Sequence, residues 1–191
     1  MFTLVPKWFI RYKFFNSLFL GLSVGAIFTL YTPLEPSIYS LGGIFLAFAM
    51  LLVARLYQQI LNARWFFYIS LFVESILLLA IIYFLYQQYN YQTALIMYIS
   101  YQISFIFGAY LVRAETLLLK THTLLTTLDT AKQLGYLTGM GISYLFYILL
   151  DTQGITQNQE QVYYLHYLLL GVEVMIIGLI FKSFIKNVKE K

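Results

Sequence analysis

Residues Trp65–Tyr86 read WFFYISLFVESILLLAIIYFLY, an unbroken apolar run whose only charged residue is Glu74. About 20 such residues, at about 1.5 Å of rise each, span the roughly 30 Å hydrocarbon core of a bilayer. Five further stretches have the same character: Phe14–Tyr31, Ser37–Ala54, Thr93–Val112, Leu134–Leu150 and Val162–Phe181. The expected fold is therefore an all-α integral membrane protein, one domain over residues 1–191 with six transmembrane helices.

Working outward from these spans, the twelve Lys and Arg residues fall into alternate connections. Lys7, Arg11 and Lys13 precede the first span, and Arg55 and Arg64 lie between the second and third. Arg113, Lys120 and Lys132 lie between the fourth and fifth, and Lys182, Lys186, Lys189 and Lys191 follow the sixth. The other connections, Thr32–Pro36, Gln87–Gln92 and Asp151–Gln161, contain none. By the positive-inside rule both termini are expected in the cytoplasm, with the bundle in the plasma (inner) membrane.

Composition excludes an ordinary soluble domain: 61% of residues are hydrophobic, 10% are charged, and the mean hydropathy is +0.76. A pI near 9.1 points to anionic headgroups here, not nucleic acid, because the cations sit at helix ends. There is no cysteine, so disulfide and thiolate chemistry are absent. The first apolar run is too long for a signal peptide, lacks an A-x-A site, and reads as a retained helix. Tyr and Phe, 35 together, cluster at span ends as an aromatic belt or face lipid.

The connections differ in character. Thr32–Pro36 (TPLEP) is a tight turn in which two prolines end one helix and start the next. Arg55–Arg64 reads as a polar loop. The amphipathic stretch Ala114–Gln133 either lies along the headgroup plane or prolongs the fourth and fifth spans. Asp151–Gln161 (DTQGITQNQEQ) reads as a solvated, mobile loop, and the basic tail after Phe181 as an anchor.

Glu74 and Glu173 are the leading candidates for chemistry. Each lies ten to twelve residues into its span, near mid-bilayer, where an ionisable group costs at least about 2.5–3.5 kcal/mol and normally faces the bundle interior. The alternative is that each is a protonated helix-packing residue hydrogen-bonded to a neighbouring Ser or Tyr, with Ser70 and Ser75 as local partners for Glu74. One glutamate sits in the third span and one in the sixth, which run in opposite directions. That placement is what two inverted three-helix repeats would produce. His166 precedes Glu173 by seven residues on one helix face and reads as a proton relay or as an interfacial aromatic with a wet edge. Tyr98 and Gln102, an i, i+4 pair, join Ser70 as candidates for lining a solute cavity. Gly21 and Gly25 in the first span, Gly43 and Ala47 in the second, and Gly135, Gly139 and Ser143 in the fifth have the spacing of close helix packing or of a hinge.

Other chemistries lack residues to carry them. Gly21–Gly25 (GLSVG) matches G-x-S-x-G, but Ser23 and His166 fall about 10 Å apart in depth by helical rise, so no nucleophile is activated. No metal-binding motif, phosphate-binding loop or cofactor motif occurs, and no enzymatic activity is expected.

Two local features add to the topology. The stretch Ala54-Arg55-Leu56-Tyr57-Gln58-Gln59-Ile60-Leu61-Asn62-Ala63-Arg64 lies where a G-x-L-x-D-R-x-G-R-R loop joins the second and third spans of major facilitator superfamily transporters. It keeps Leu56 and a basic residue at Arg64, has Gln58 in place of the acid, and lacks both glycines. Asp129, Lys132, Gly135 and Gly139 are similar to that family's glycine-rich fifth helix. The chain thus resembles half of a major facilitator superfamily transporter. The resemblance implies a six-helix bundle that moves a small solute with proton coupling, paired with a second copy or another six-helix half. The alternative is a non-transporting membrane subunit that scaffolds a larger complex through lateral partners. The lipid bilayer is the remaining expected partner.

Overall fold

A computed structural model describes residues 2–87 and 89–186. Its helices are α1 (Pro6–Leu30), α2 (Pro36–Arg55), α3 (Tyr57–Ile60), α4 (Ala63–Tyr86), α5 (Tyr91–Ile106), α6 (Gly108–Leu119), α7 (His122–Thr152) and α8 (Asn158–Ser183). Two short strands, β1 (Phe2–Leu4) and β2 (Phe184–Lys186), pair antiparallel with Thr3 opposite Ile185. They bring the described ends of the chain together at one end of the bundle. Taking α5 and α6 as one span, six helices are long and apolar enough to cross a membrane, as an integral membrane protein requires.

Local sequence explains the helix starts. Pro6 and Pro36 stand at first-turn positions, where a missing N–H costs nothing. Asn62 caps α4 through the Trp65 N–H, and Asn90 with Thr93 forms a reciprocal capping box on α5. Lys120 takes a left-handed conformation (φ 56°) that ends α6, and Thr121 then caps α7. Of the two expectations for Ala114–Gln133, the structure thus has the one in which helices prolong the spans.

The helices outrun the apolar stretches that mark them. α1 begins eight residues before Phe14, α7 begins twelve before Leu134, and α8 takes in Asn158–Gln161. Hydropathy ends a span at the first charge, whereas helical hydrogen bonding continues wherever a charge finds a partner. The Asp151–Gln161 loop accordingly shrinks to residues 153–157 and is braced, not loose. Gln161 Nε2 donates to Asp151 Oδ1 at 2.5 Å and to the Ile155 carbonyl at 2.8 Å. The Arg55–Arg64 loop contains the single turn α3, whose Ile60 is buried and whose carbonyl accepts from the Tyr110 hydroxyl at 2.8 Å. The tail departs from a helix end at Phe184, and Lys189 and Lys191 lie outside the described residues, as does Gln88 of the Gln87–Gln92 connection.

In order of principal contact the helices run α7, α1, α8, α4, α5, α2. α1 lies between α7 and α8 and buries Phe9, Tyr12, Leu22, Ala26 and Leu30 completely. α2, at the far end, leans on α5 and buries none of its residues.

Candidate functional site

The α1–α7 contact is built on glycine. A Cβ on Gly135 would fall on the Phe14 carbonyl oxygen, one on Gly139 on that of Leu18, and one on Gly21 on that of Tyr136. The paired residues rise together in sequence, so α1 and α7 are parallel with their backbones touching. Gly25 differs, because a Cβ there would meet only the Tyr147 ring, at an ordinary 3.6 Å.

That approach brings the charged shoulders of three helices together. Lys13 of α1 and Glu115 of α6 are 4% and 3% exposed, and Lys13 Nζ lies 2.5 Å from Glu115 Oε1. Lys132 of α7 reaches Glu115 Oε2 at 3.0 Å and touches the exposed Asp129 at 3.7 Å. The Lys13 ammonium also lies 4.8 Å from the centre of the Tyr12 ring and 5.5 Å from that of Phe66.

Along α1 from this ion cluster stands Glu74 of α4, 1% exposed. Its Oε1 accepts from the Tyr12 hydroxyl at 3.1 Å and from Asn16 Nδ2 at 2.8 Å. The partners expected from its own helix do not serve. Ser70 is fully buried beside the Tyr12 hydroxyl without completing a hydrogen bond, and Ser75 makes none with Glu74. Lys13 acts on Glu74 electrostatically, and Glu173 of α8, wholly buried, lies within its hydrogen-bonding reach. Tyr101 of α5, with its hydroxyl near Ser23, also interacts electrostatically with Glu173.

Taken as ionised carboxylates, Glu74 Oε2 and both Glu173 oxygens lack any hydrogen-bond partner. Two carboxylates are acceptors only; one proton between them makes a donor and an acceptor. Lys13 and Lys132 with Glu115 and Asp129 make a charge-balanced cluster beside the glutamate pair. The arrangement is a pair of buried carboxyl groups set in packed core, joined by Tyr12, Asn16 and Lys13 to the Glu115 cluster.

The other candidates do not join it. His166 is completely buried, not wet: its Nδ1 lies 2.6 Å from the Val162 carbonyl, its ring centre is 4.2 Å from that of Phe84, and its Nε2 has no partner. Tyr98 and Gln102 line an apolar cleft of about 400 Å³ between α2 and α5, away from Ser70. There the Tyr98 hydroxyl covers Gly42 and reaches the Tyr39 carbonyl at 3.4 Å, while Gln102 Oε1 is buried without a partner. The three proposed cavity residues therefore belong to two regions. Gly43 has open space around it, so its small-residue spacing serves no contact within the chain.

Sequence reading missed Glu115, Tyr12 and Asn16, and took Lys13 for a flanking anchor. A signal was present for two of them: Tyr12 and Asn16 are an i, i+4 polar pair at the start of the first span. Among the described residues no group of His, Cys, Asp and Glu could hold a metal ion. Compared with protein family models, curated proteins and solved structures, the chain matches none.

Proposed function

We propose that this chain is a half-size secondary transporter whose glutamate pair, Glu74 and Glu173, carries the coupling proton. The observation behind the reading is the burial of both carboxyls against each other at the α4–α8 contact, with hydrogen-bond capacity for one proton. Intramembrane acids that face a bundle interior are the usual parts of proton relays.

The packing order supports an inverted-repeat origin. Numbering the spans one to six, the order is five, one, six, three, four, two. Exchanging the first three spans with the last three gives the same order read backwards. The contact at its centre joins the third and sixth spans, where the glutamates meet. Inverted repeats of this kind place coupling sites at the repeat interface. The ends of the order, α2 and α7, keep open flanks (Phe45, Phe48, Leu137, Tyr144) on which a second six-helix bundle would dock about a two-fold axis. Both termini are then cytoplasmic, in the plasma (inner) membrane, following the distribution of Lys and Arg. Both carboxyls are buried in this arrangement, and proton exchange belongs to a state in which α1 moves from α4 or α8.

The test has two readouts. Infrared spectra of the reconstituted protein are expected to show a protonated-carboxyl band that Glu74→Gln and Glu173→Gln each remove or shift. Uptake driven by a pH gradient is expected to be lost in both variants. A double variant that transports at the wild-type rate with an unchanged pH profile removes the glutamates from the mechanism.

The bare α2 helix favours a second reading, a membrane subunit that holds a different protein laterally. A stoichiometric foreign chain in mild-detergent preparations, identified by mass spectrometry, selects it.

A further inference from the structure

At the end of the bundle away from β1 and β2, α1, α7 and α8 separate around a recess of about 280 Å³. Its walls are Gly25 and Thr29 of α1, Tyr147 of α7, and Asn158, Gln161 and Val162 of α8. No Lys or Arg lines it. The space exists because Gly25 has no side chain where the α1–α7 backbone contact ends. The polar groups around it are uncharged and of mixed sense: the Thr29 and Tyr147 hydroxyls and the Asn158 amide can donate and accept, and Gln161, whose two N–H groups are taken by Asp151 and Ile155, can accept.

Two details mark it as more than a gap between helices. Gln161 is 8% exposed and fixed in place by its bonds to Asp151 Oδ1 and the Ile155 carbonyl. The Tyr147 hydroxyl is buried without a partner, and Ser143 lies beside it without completing a hydrogen bond. A native hydroxyl left so has a missing partner to account for. The volume is at the small end for ligand sites.

We infer that this recess binds a small uncharged polyhydroxyl solute. Hydroxyl groups match a lining that offers donors and acceptors together, and the Tyr147 ring opposite Gly25 supplies an apolar face for the carbon chain. Anions find no cation there. Asp151 stands outside the lining, with its Oδ1 accepting from Gln161. The inference rests on the carrier reading for its role, naming the solute class: Gln161 and Glu173 lie on one helix, about 18 Å apart by helical rise, along the seam with α1. By the sequence-based orientation the recess opens outward.

The probe is meso-erythritol, observed by saturation-transfer NMR on the full chain in micelles, with urea, inorganic phosphate and methylammonium as comparisons. Erythritol is expected to receive saturation and the other three not to compete with it. Tyr147→Phe, which keeps the shape, is expected to weaken binding about three- to tenfold, the value of one hydrogen bond. Gly25→Leu fills the recess and abolishes binding, whereas Gly25→Ala is tolerated. Should Gly25→Leu fail to fold, Tyr147→Phe and Thr29→Val decide the matter. No erythritol signal, equal signals in wild type and variants, or displacement by phosphate or methylammonium overturns the inference. Binding is expected to survive in Glu74→Gln, Glu173→Gln protein. Erythritol binding without proton-linked flux removes the carrier reading alone; proton-linked flux of another solute without erythritol binding removes this inference alone.

Discussion

Helices α1 and α2 are both long and apolar, and the less apolar of the two is the one the bundle encloses. The most apolar window of α1 has a mean hydropathy of 1.5 and is 44% buried; that of α2 has 2.1 and none of it is buried. In water this order would be reversed. In a bilayer, lipid solvates Phe45 or Leu52 as well as another helix does, so apolar surface alone gives no reason to pack. What α1 has, and α2 lacks, is a set of groups that lipid cannot satisfy: Lys13, Tyr12, Asn16 and a glycine face shaped to a neighbour's backbone. Burial follows polarity and close approach in this molecule.

The strongest way to break that comparison is to remove one charge from the α1 side. Lys13→Met leaves Glu115 buried with Lys132 alone, and loss of a partner from a buried pair costs about 3–5 kcal/mol. Lys13→Met with Glu115→Met is expected to recover most of that loss, because no unpaired charge remains. Equilibrium unfolding in mixed micelles measures both. If Lys13→Met unfolds within error of wild type, polar burial is not what holds α1.

Glycine gives the next largest contrast. Gly139→Ala pushes a methyl group onto the Leu18 carbonyl and is expected to destabilise by about 1–3 kcal/mol, since backbone cannot yield as a side chain does. Gly43→Ala in α2 meets open space and is expected to be neutral, or to gain up to about 1 kcal/mol from helix propensity. Equal costs at the two positions would mean that α2 is packed against something as tightly as α1.

The same contrast explains what the sequence made legible. The number of spans and their approximate limits follow from hydropathy and helical rise. That the two glutamates meet follows only from the packing order, which single-helix patterns do not contain. Glu115 was invisible for a related reason. At the foot of a span, beside Arg113, an acid looks like a solvated surface residue until α7 brings Lys132 and α1 brings Lys13 to it. Tyr98 and Gln102 show the converse error. Their i, i+4 spacing places them on one face, as found, yet that face looks into the α2–α5 cleft and not toward Ser70.

A smaller effect separates the two tyrosines that tie each side. Tyr12→Phe removes a 3.1 Å hydrogen bond to Glu74 from a completely buried site and is expected to cost about 0.5–1.5 kcal/mol. The Tyr98 hydroxyl, at 3.4 Å from the Tyr39 carbonyl, makes a long bond, so Tyr98→Phe is expected to change stability by less than about 0.5 kcal/mol. Similar losses for the two would place the α2–α5 cleft in the same class of contact as the α1 network.

The smallest effect has the opposite sign and sharpens the comparison most. Gln102 keeps an unpartnered, buried carbonyl oxygen on the wall of a cleft otherwise lined by Phe45, Phe48, Leu52 and Ile103. On the α1 side Glu74 Oε1 finds both Tyr12 and Asn16; here nothing answers the Gln102 oxygen. Gln102→Leu removes the unmet acceptor and keeps the volume, so it is expected to stabilise the fold by up to about 1 kcal/mol. A loss instead of a gain would show that Gln102 meets a donor in the membrane that α2 and α5 do not provide. The cleft would then be a binding surface, and the enclosure of α1 would not be the only use this chain makes of polar groups held away from water.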